Sequence, residues 1–166
     1  MVPESIVVCD TSPLQYLHHA AGLELLPALF GQIVVPPAVV AELRAGRQRG
    51  LDVPDPDQLP WLVQRDLAAP PSFPGSAELD AGEREAIALA LSLGTGPGCR
   101  LLIDERDGRK AAHQLGLAHT ETLGVLIAGK RAGLIPVVAP RLDRIVARGF
   151  RMGDLIRAEA LRLAGE

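Results

Sequence analysis

The chain has 166 residues, 48% hydrophobic, 22% charged and 3% aromatic, with a formal net charge of −3. This length suits one domain with a buried core, the apolar content excludes wholesale disorder, and no apolar run nears the ~18 residues of a membrane span. The negative charge excludes a broad basic surface for nucleic acid and the few aromatics exclude a base-stacking platform, but neither excludes an enzyme that holds a phosphodiester through metal ions.

The N-terminal MVPES has no basic segment leading into an apolar one, so no secretory leader is expected. Cys9 and Cys99 lie in or beside apolar runs and read as reduced thiols, which points to the cytoplasm. The first strand is expected at 5–9, SIVVC, and it runs straight into an acid, Asp10. Two short helices follow within 12–30, broken near Gly22 and held off by Pro27, with Thr11 or Ser12 capping the first and Pro13 opening it. A second strand is expected at 32–35, and Pro37 then starts a helix to about Ala45. Loops rich in Pro and Gly cover 45–60 and 69–77, on either side of a strand at 61–65.

The clearest helix is LDAGEREAIALALSLG, 79–94, closed by Gly94. A strand at 100–103 leads into Asp104, a weaker one lies near 117–119, and helices are expected at 105–115 and 121–132. Two more helices, within 140–163, flank RGFRMGD. Short apolar strands alternating with helices predict an α/β fold: a three-layer α/β/α sandwich around a central, mainly parallel sheet. A single domain spans 1–166, with its core at about 5–133 and the C-terminal helices at about 140–163.

Acids recur at telling places. Asp10 and Asp104 each end an apolar strand and precede a helix, and in open parallel sheets ligands bind outside the carboxyl ends of the strands. Glu42 lies on or beside the apolar stripe of its helix. Glu83 shares a stripe with Ala86, Ile87 and Ala90, which Glu85 does not share as well. Each acid alone has a structural explanation: Asp80 and Glu83 fit a capping box, and Asp104 could cap the next helix. Together, Asp10, Glu42, Glu83 and Asp104 would bury several negative charges, for which a divalent cation is the economical compensation. An all-oxygen set suits Mg²⁺ or Mn²⁺ and not zinc. His18 and His19 are adjacent and are not expected to face one ligand, while His113 and His119 stand alone. Arg44, Arg47 and Arg49 surround a loop just after Glu42 and are candidates to contact a phosphate backbone. No phosphate-binding glycine loop or nucleophilic serine motif is present; GTGPG at 94–98 precedes a strand and reads as a turn.

The segments VVCDTSPL, VVPPAVVAELR, LDAGEREAIALAL, LLIDERDGRKAA and TLGVLIAGKRAGLI, in that order, resemble PIN-domain proteins, and most closely the VapC-like branch. The resemblance implies a PIN-like sandwich and a Mg²⁺- or Mn²⁺-dependent ribonuclease, the toxin of a type II toxin–antitoxin pair. It further implies an RNA substrate, a cognate antitoxin and a homodimer. Carried over by position, Asp10, Glu42, Glu83 and Asp104 match the catalytic acids, with Asp10, Glu83 and Asp104 as metal ligands. Ser12 matches the small polar residue that supports the first acid, with Thr11 beside it. Two departures stand out: Glu105 where the family often has Asp, with Asp107 a peripheral metal-binding candidate instead, and Glu121 where the family often has Gly. The competing reading is a catalytically silent PIN-like module that acts through protein or RNA contacts.

Overall fold

A computed structural model describes residues 5–166, so the expectation for the N-terminus lies outside the described residues. Strand β1 (Ile6–Cys9) is followed by helices α1 (Thr11–His19) and α2 (Leu25–Phe30), β2 (Ile33–Val35) and α3 (Pro37–Gln48). Next come β3 (Leu62–Gln64), α4 (Ala81–Leu93), β4 (Cys99–Leu102), α5 (Arg106–Gln114) and β5 (His119–Thr120). Helices α6 (Thr122–Arg131), α7 (Ala139–Ala147) and α8 (Asp154–Ala164) complete the chain. The five strands form one sheet in the order β3-β2-β1-β4-β5, and every neighbouring pair is parallel.

The strands are short and apolar because both faces of the sheet are covered. Val7, Cys9, Ile33, Val35 and Leu102 turn to one face, packing with residues of α1, α2, α3, α6, α7 and α8. Val8, Val34, Leu101 and Ile103 turn to the other, against α4 and α5. This is the α/β/α sandwich expected of the alternating pattern. Its core side chains, such as Leu14, Leu43, Ile87 and Leu126, are completely enclosed, and each is worth ~1.5–3 kcal/mol of transfer free energy.

The chain builds β1, β2 and β3 outward on one side, then crosses back to place β4 against the other side of β1. The direction of winding therefore reverses between β1 and β4, where an open α/β sheet leaves a crevice at its carboxyl edge. Register brings the two strand ends together: Cys9 is level with Leu102, and the Asp10 N–H still donates to the Leu102 carbonyl at 3.0 Å.

Three local expectations are corrected. Pro27 lies inside α2 instead of holding it off, in the first turn, where a proline gives up no intrahelical hydrogen bond. Helix α1 begins at Thr11, so Asp10 occupies the cap position that Thr11 or Ser12 was expected to fill, without a capping side-chain bond. Glu105, not Asp104, holds the cap position of α5, again without a side-chain bond.

Candidate active site

The acids gather at the carboxyl edge around Asp10. Its side chain is 2% exposed, yet it borders an open cleft of about 590 Å³ shared with Ser12, Gln15, Glu42, Arg49 and Asp80. Helix α3 brings Glu42 to this place and α4 brings Glu83, because the two helices pack on each other and α4 crosses β1. Their contact is close at Gly82. The Gly82 N–H donates to Glu42 Oε1 at 3.0 Å, and a Cβ there would lie 2.7 and 2.9 Å from the two Glu42 oxygens and 3.0 Å from Asp10 Oδ1. Only a residue without a side chain lets the α4 backbone approach both carboxylates so nearly. The Thr11 hydroxyl, which leaves the helix uncapped, donates to Glu42 Oε2, so both oxygens of Glu42 are held by protein donors.

Glu83 has two roles. Asp80 Oδ1 accepts from the Glu83 N–H at 2.9 Å and Glu83 Oε2 accepts from the Asp80 N–H at 3.3 Å, a complete capping box. The structural reading of this pair is therefore correct, but it accounts for only one oxygen. Glu83 Oε1 and Asp10 Oδ1 are buried and have no hydrogen-bond partner among the described residues. Buried polar atoms are rarely left so. Glu85 is occupied elsewhere, its Oε2 accepting from the Ala38 N–H at 2.9 Å.

Asp104 lies one strand over, half-buried, with both oxygens on Thr122: Oδ1 takes its N–H at 2.8 Å and Oδ2 its hydroxyl at 2.7 Å. Electrostatics ties the group together. Burial, with like charge from Asp80, Glu83 and Glu42, raises the Asp10 carboxyl well above the ordinary range, against the lowering effect of the Thr11 backbone. Burial, then the charge of Asp80, pushes Glu83 to about 7. Burial pushes Asp104 to about 6 against the two Thr122 bonds, with Glu121 and Glu105 adding to the rise.

The remaining candidates divide. Ser12 lines the cleft, whereas it is Thr11 that bonds an acid, and that acid is Glu42. Asp107 is exposed in the first turn of α5, in a separate hollow with Glu78 and Lys110, and reaches Glu83 only by its charge. Arg44 pairs with Asp57 at 2.8 Å, and Arg47 holds the Val53 carbonyl at 3.2 Å and Asp55 at 3.6 Å, so both brace their own loop. Arg49 borders the cleft. Contrary to expectation, His18 and His19 do meet one group, Asp52, at 2.9 and 3.6 Å; they end α1, where the loop bearing Asp52 folds back over both rings. Glu121, whose use was open, pairs with Arg109 at 3.0 Å. Sequence reasoning missed Gly82, Thr122 and Arg109, and their only signal was membership of the motif segments GERE, TLG and ERDGRK.

The set fits a hard divalent cation in its chemistry: the donors are all carboxylate oxygens, and two of them are buried and unpartnered. Among the described residues no three His, Cys, Asp or Glu side chains stand within one coordination sphere. The acids are gathered at one edge without being closed around a point.

The comparisons agree with this architecture. A family model described as a PIN domain, DUF3368, matches residues 6–166. The chain belongs to the PIN domain family, whose members are generally nucleases and usually use divalent metals. Among solved structures it is similar to a PilT N-terminus domain protein from the hyperthermophilic archaeon Sulfolobus solfataricus P2. That match has a TM-score of 0.52 and 19% identity and covers 74% of this chain and 92% of the other, a likeness of fold. Among curated proteins, none matches the chain. No helix among the described residues is long and apolar enough to cross a membrane.

Proposed function

We propose that this protein is a Mg²⁺- or Mn²⁺-dependent endoribonuclease whose site is Asp10, Glu42, Glu83 and Asp104. The observation that carries the reading is the pair of buried, unpartnered oxygens, Asp10 Oδ1 and Glu83 Oε1. These two atoms would hold the ion. Glu42, fixed by Thr11 and Gly82, and Asp104, fixed by Thr122, are oriented acceptors at its border, able to act directly or through water. When bound, such an ion lowers the pKa of a water and stabilises the leaving oxygen of a phosphodiester. Among the described residues Arg44 and Arg47 have ion-pair partners and Arg49 has none, so Arg49, in the cleft, would meet a substrate phosphate.

The further role as toxin of a type II pair, acting in the cytoplasm as a homodimer restrained by a small antitoxin, is supported by the resemblance of the ordered motifs to VapC-like proteins. Purified protein incubated with total RNA should cut with Mg²⁺ or Mn²⁺ and stop with EDTA. Cutting that survives EDTA would remove the metal from the mechanism. Absence of both cutting and calorimetric metal binding would favour the silent binding module.

A further inference from the structure

A groove runs from Asp104, on the side away from the cleft that Asp10 and Glu42 border. It has a volume of about 520 Å³ and is lined by the arginines Arg106, Arg109 and Arg151, by the acids Asp104, Glu105 and Glu121, and by Tyr16 and Phe150. The same Arg109, Glu121, Phe150 and Arg151 also border a second hollow of about 370 Å³, which extends it past Leu123 and Ile156. Three guanidinium groups and three carboxyl groups therefore share this groove, so the cations available to a phosphate depend on which of them the acids already hold. Arg106 and Arg151 are exposed, and neither has an ion-pair partner among the described residues.

Arg109 is different. Its Nε donates to the Asp104 carbonyl at 3.0 Å and one terminal nitrogen donates to Glu121 Oε1 at 3.0 Å. The guanidinium is thus fixed at the mouth of the groove with part of its donor fork occupied by an acid. Glu121 directly precedes Thr122, the residue that holds Asp104, so one turn carries both the support of that acid and the countercharge of Arg109. The Arg109 and Glu121 side chains are 36% and 33% exposed, so water solvates the pair and its exchange for another anion is inexpensive.

We propose that this groove holds the phosphate next to the scissile bond of single-stranded RNA through Arg106, Arg109 and Arg151, and that Glu121 sets the affinity by competing with that phosphate for Arg109. The proposal rests on the nuclease reading above. An acidic chain repels RNA at long range, so its affinity must come from a local cluster of cations. A guanidinium fork matches phosphate oxygens in two-point contact, which a carboxylate on the same fork blocks. Glu121 thereby tunes affinity, and Arg109 is the group through which it acts.

The test uses the full chain carrying Asp10→Asn, to stop cleavage, and a fluorescent single-stranded RNA followed by anisotropy over a salt series. Glu121→Gln should tighten binding by about two- to fivefold, the scale of an exposed ion pair. Adding Arg109→Ala should cancel that gain. Arg151→Ala, at an exposed position, should weaken binding and reduce the salt slope by about one. A gain from Glu121→Gln that persists without Arg109 would mean a general field effect and overturn the competition, as would no gain at all. An unchanged salt slope in Arg151→Ala would overturn the groove. Failure of the nuclease reading is separate: it shows as no metal-dependent cutting by the wild-type chain, whatever the coupling between Glu121 and Arg109. No RNA binding by any of these variants overturns the proposal outright.

Discussion

One oxygen of the Asp10 carboxyl is buried and met by no donor among the described residues, and its neighbours Asp80, Glu83 and Glu42 are acids too. Ionising it in that place is unfavourable unless a cation shares the site. Asp10→Asn keeps the volume and removes the charge. Without metal the variant should melt at or above the wild-type temperature, while cleavage falls beyond the roughly 10–100-fold that outer-shell changes typically produce. A variant that cuts RNA at the wild-type rate would dismiss Asp10 from the site. The same repulsion sets a pH dependence. Glu83 titrates at about 7 and Asp104 at about 6, both above their ordinary values of 4.5 and 3.8, so the folded state binds more protons than the unfolded one. Their contribution to stability is full below those ordinary values and is lost as pH rises through about 6 and then about 7. Metal binding needs the deprotonated acids and should strengthen across the same window. Melting temperature recorded without metal from about pH 5 to about pH 8 should therefore fall in the wild type, and Glu83→Gln should flatten the later part of that fall. Equal slopes in the two proteins would place the titration elsewhere.

The first turn of α4 decides how near the acids come. Gly82→Ala would improve helix propensity by about 0.5–1 kcal/mol, but the new Cβ would press on both oxygens of Glu42 and on Asp10 Oδ1. Glu42 is the end of a flexible side chain and can retreat, giving up its bond to the Gly82 N–H. The expected result is a melting temperature near that of wild type with cleavage lowered about tenfold or more, as when an outer-shell support is lost. Unchanged cleavage would show that Glu42 needs no fixed position. Much of this element level was legible in the sequence, because apolar periodicity and capping chemistry are local: strands β1 to β4, the capping box of Asp80 and Glu83, and the inward face of Glu83 could be read directly, whereas β5, expected near 117–119, stands at His119–Thr120, too short to show a period. The misreadings share a physical cause. Thr11 looks like a cap, but an acceptor 31 residues away, Glu42, takes its hydroxyl. His18 and His19 meet on Asp52 only because a loop 34 residues from His18 returns over the end of α1. Gly82 and Thr122 matter through packing and hydrogen bonds to acids on other elements, which no local pattern encodes.

For the whole molecule, the reversal of winding between β1 and β4 puts Asp10 and Asp104 on adjacent strand ends, while two enclosed cores on opposite faces keep the sheet rigid beneath them. The repulsion is therefore borne by a scaffold that does not depend on it, and a cation that relieves it should stabilise the entire fold by mass action, because the unfolded chain does not gather these acids. At a divalent ion concentration of 100 times the dissociation constant the stabilisation is ~2.7 kcal/mol. In a domain of this size that corresponds to a rise in melting temperature of roughly 5–10 °C. Scanning calorimetry with Mg²⁺, Mn²⁺ and EDTA should show the rise with either ion, its reversal by EDTA, and its loss in Asp10→Asn. Glu121→Gln should keep it in full, since that residue acts on Arg109 and not on the ion. An equal rise in Asp10→Asn would place the ion away from the β1–β4 edge and separate the acidic cluster from metal binding altogether.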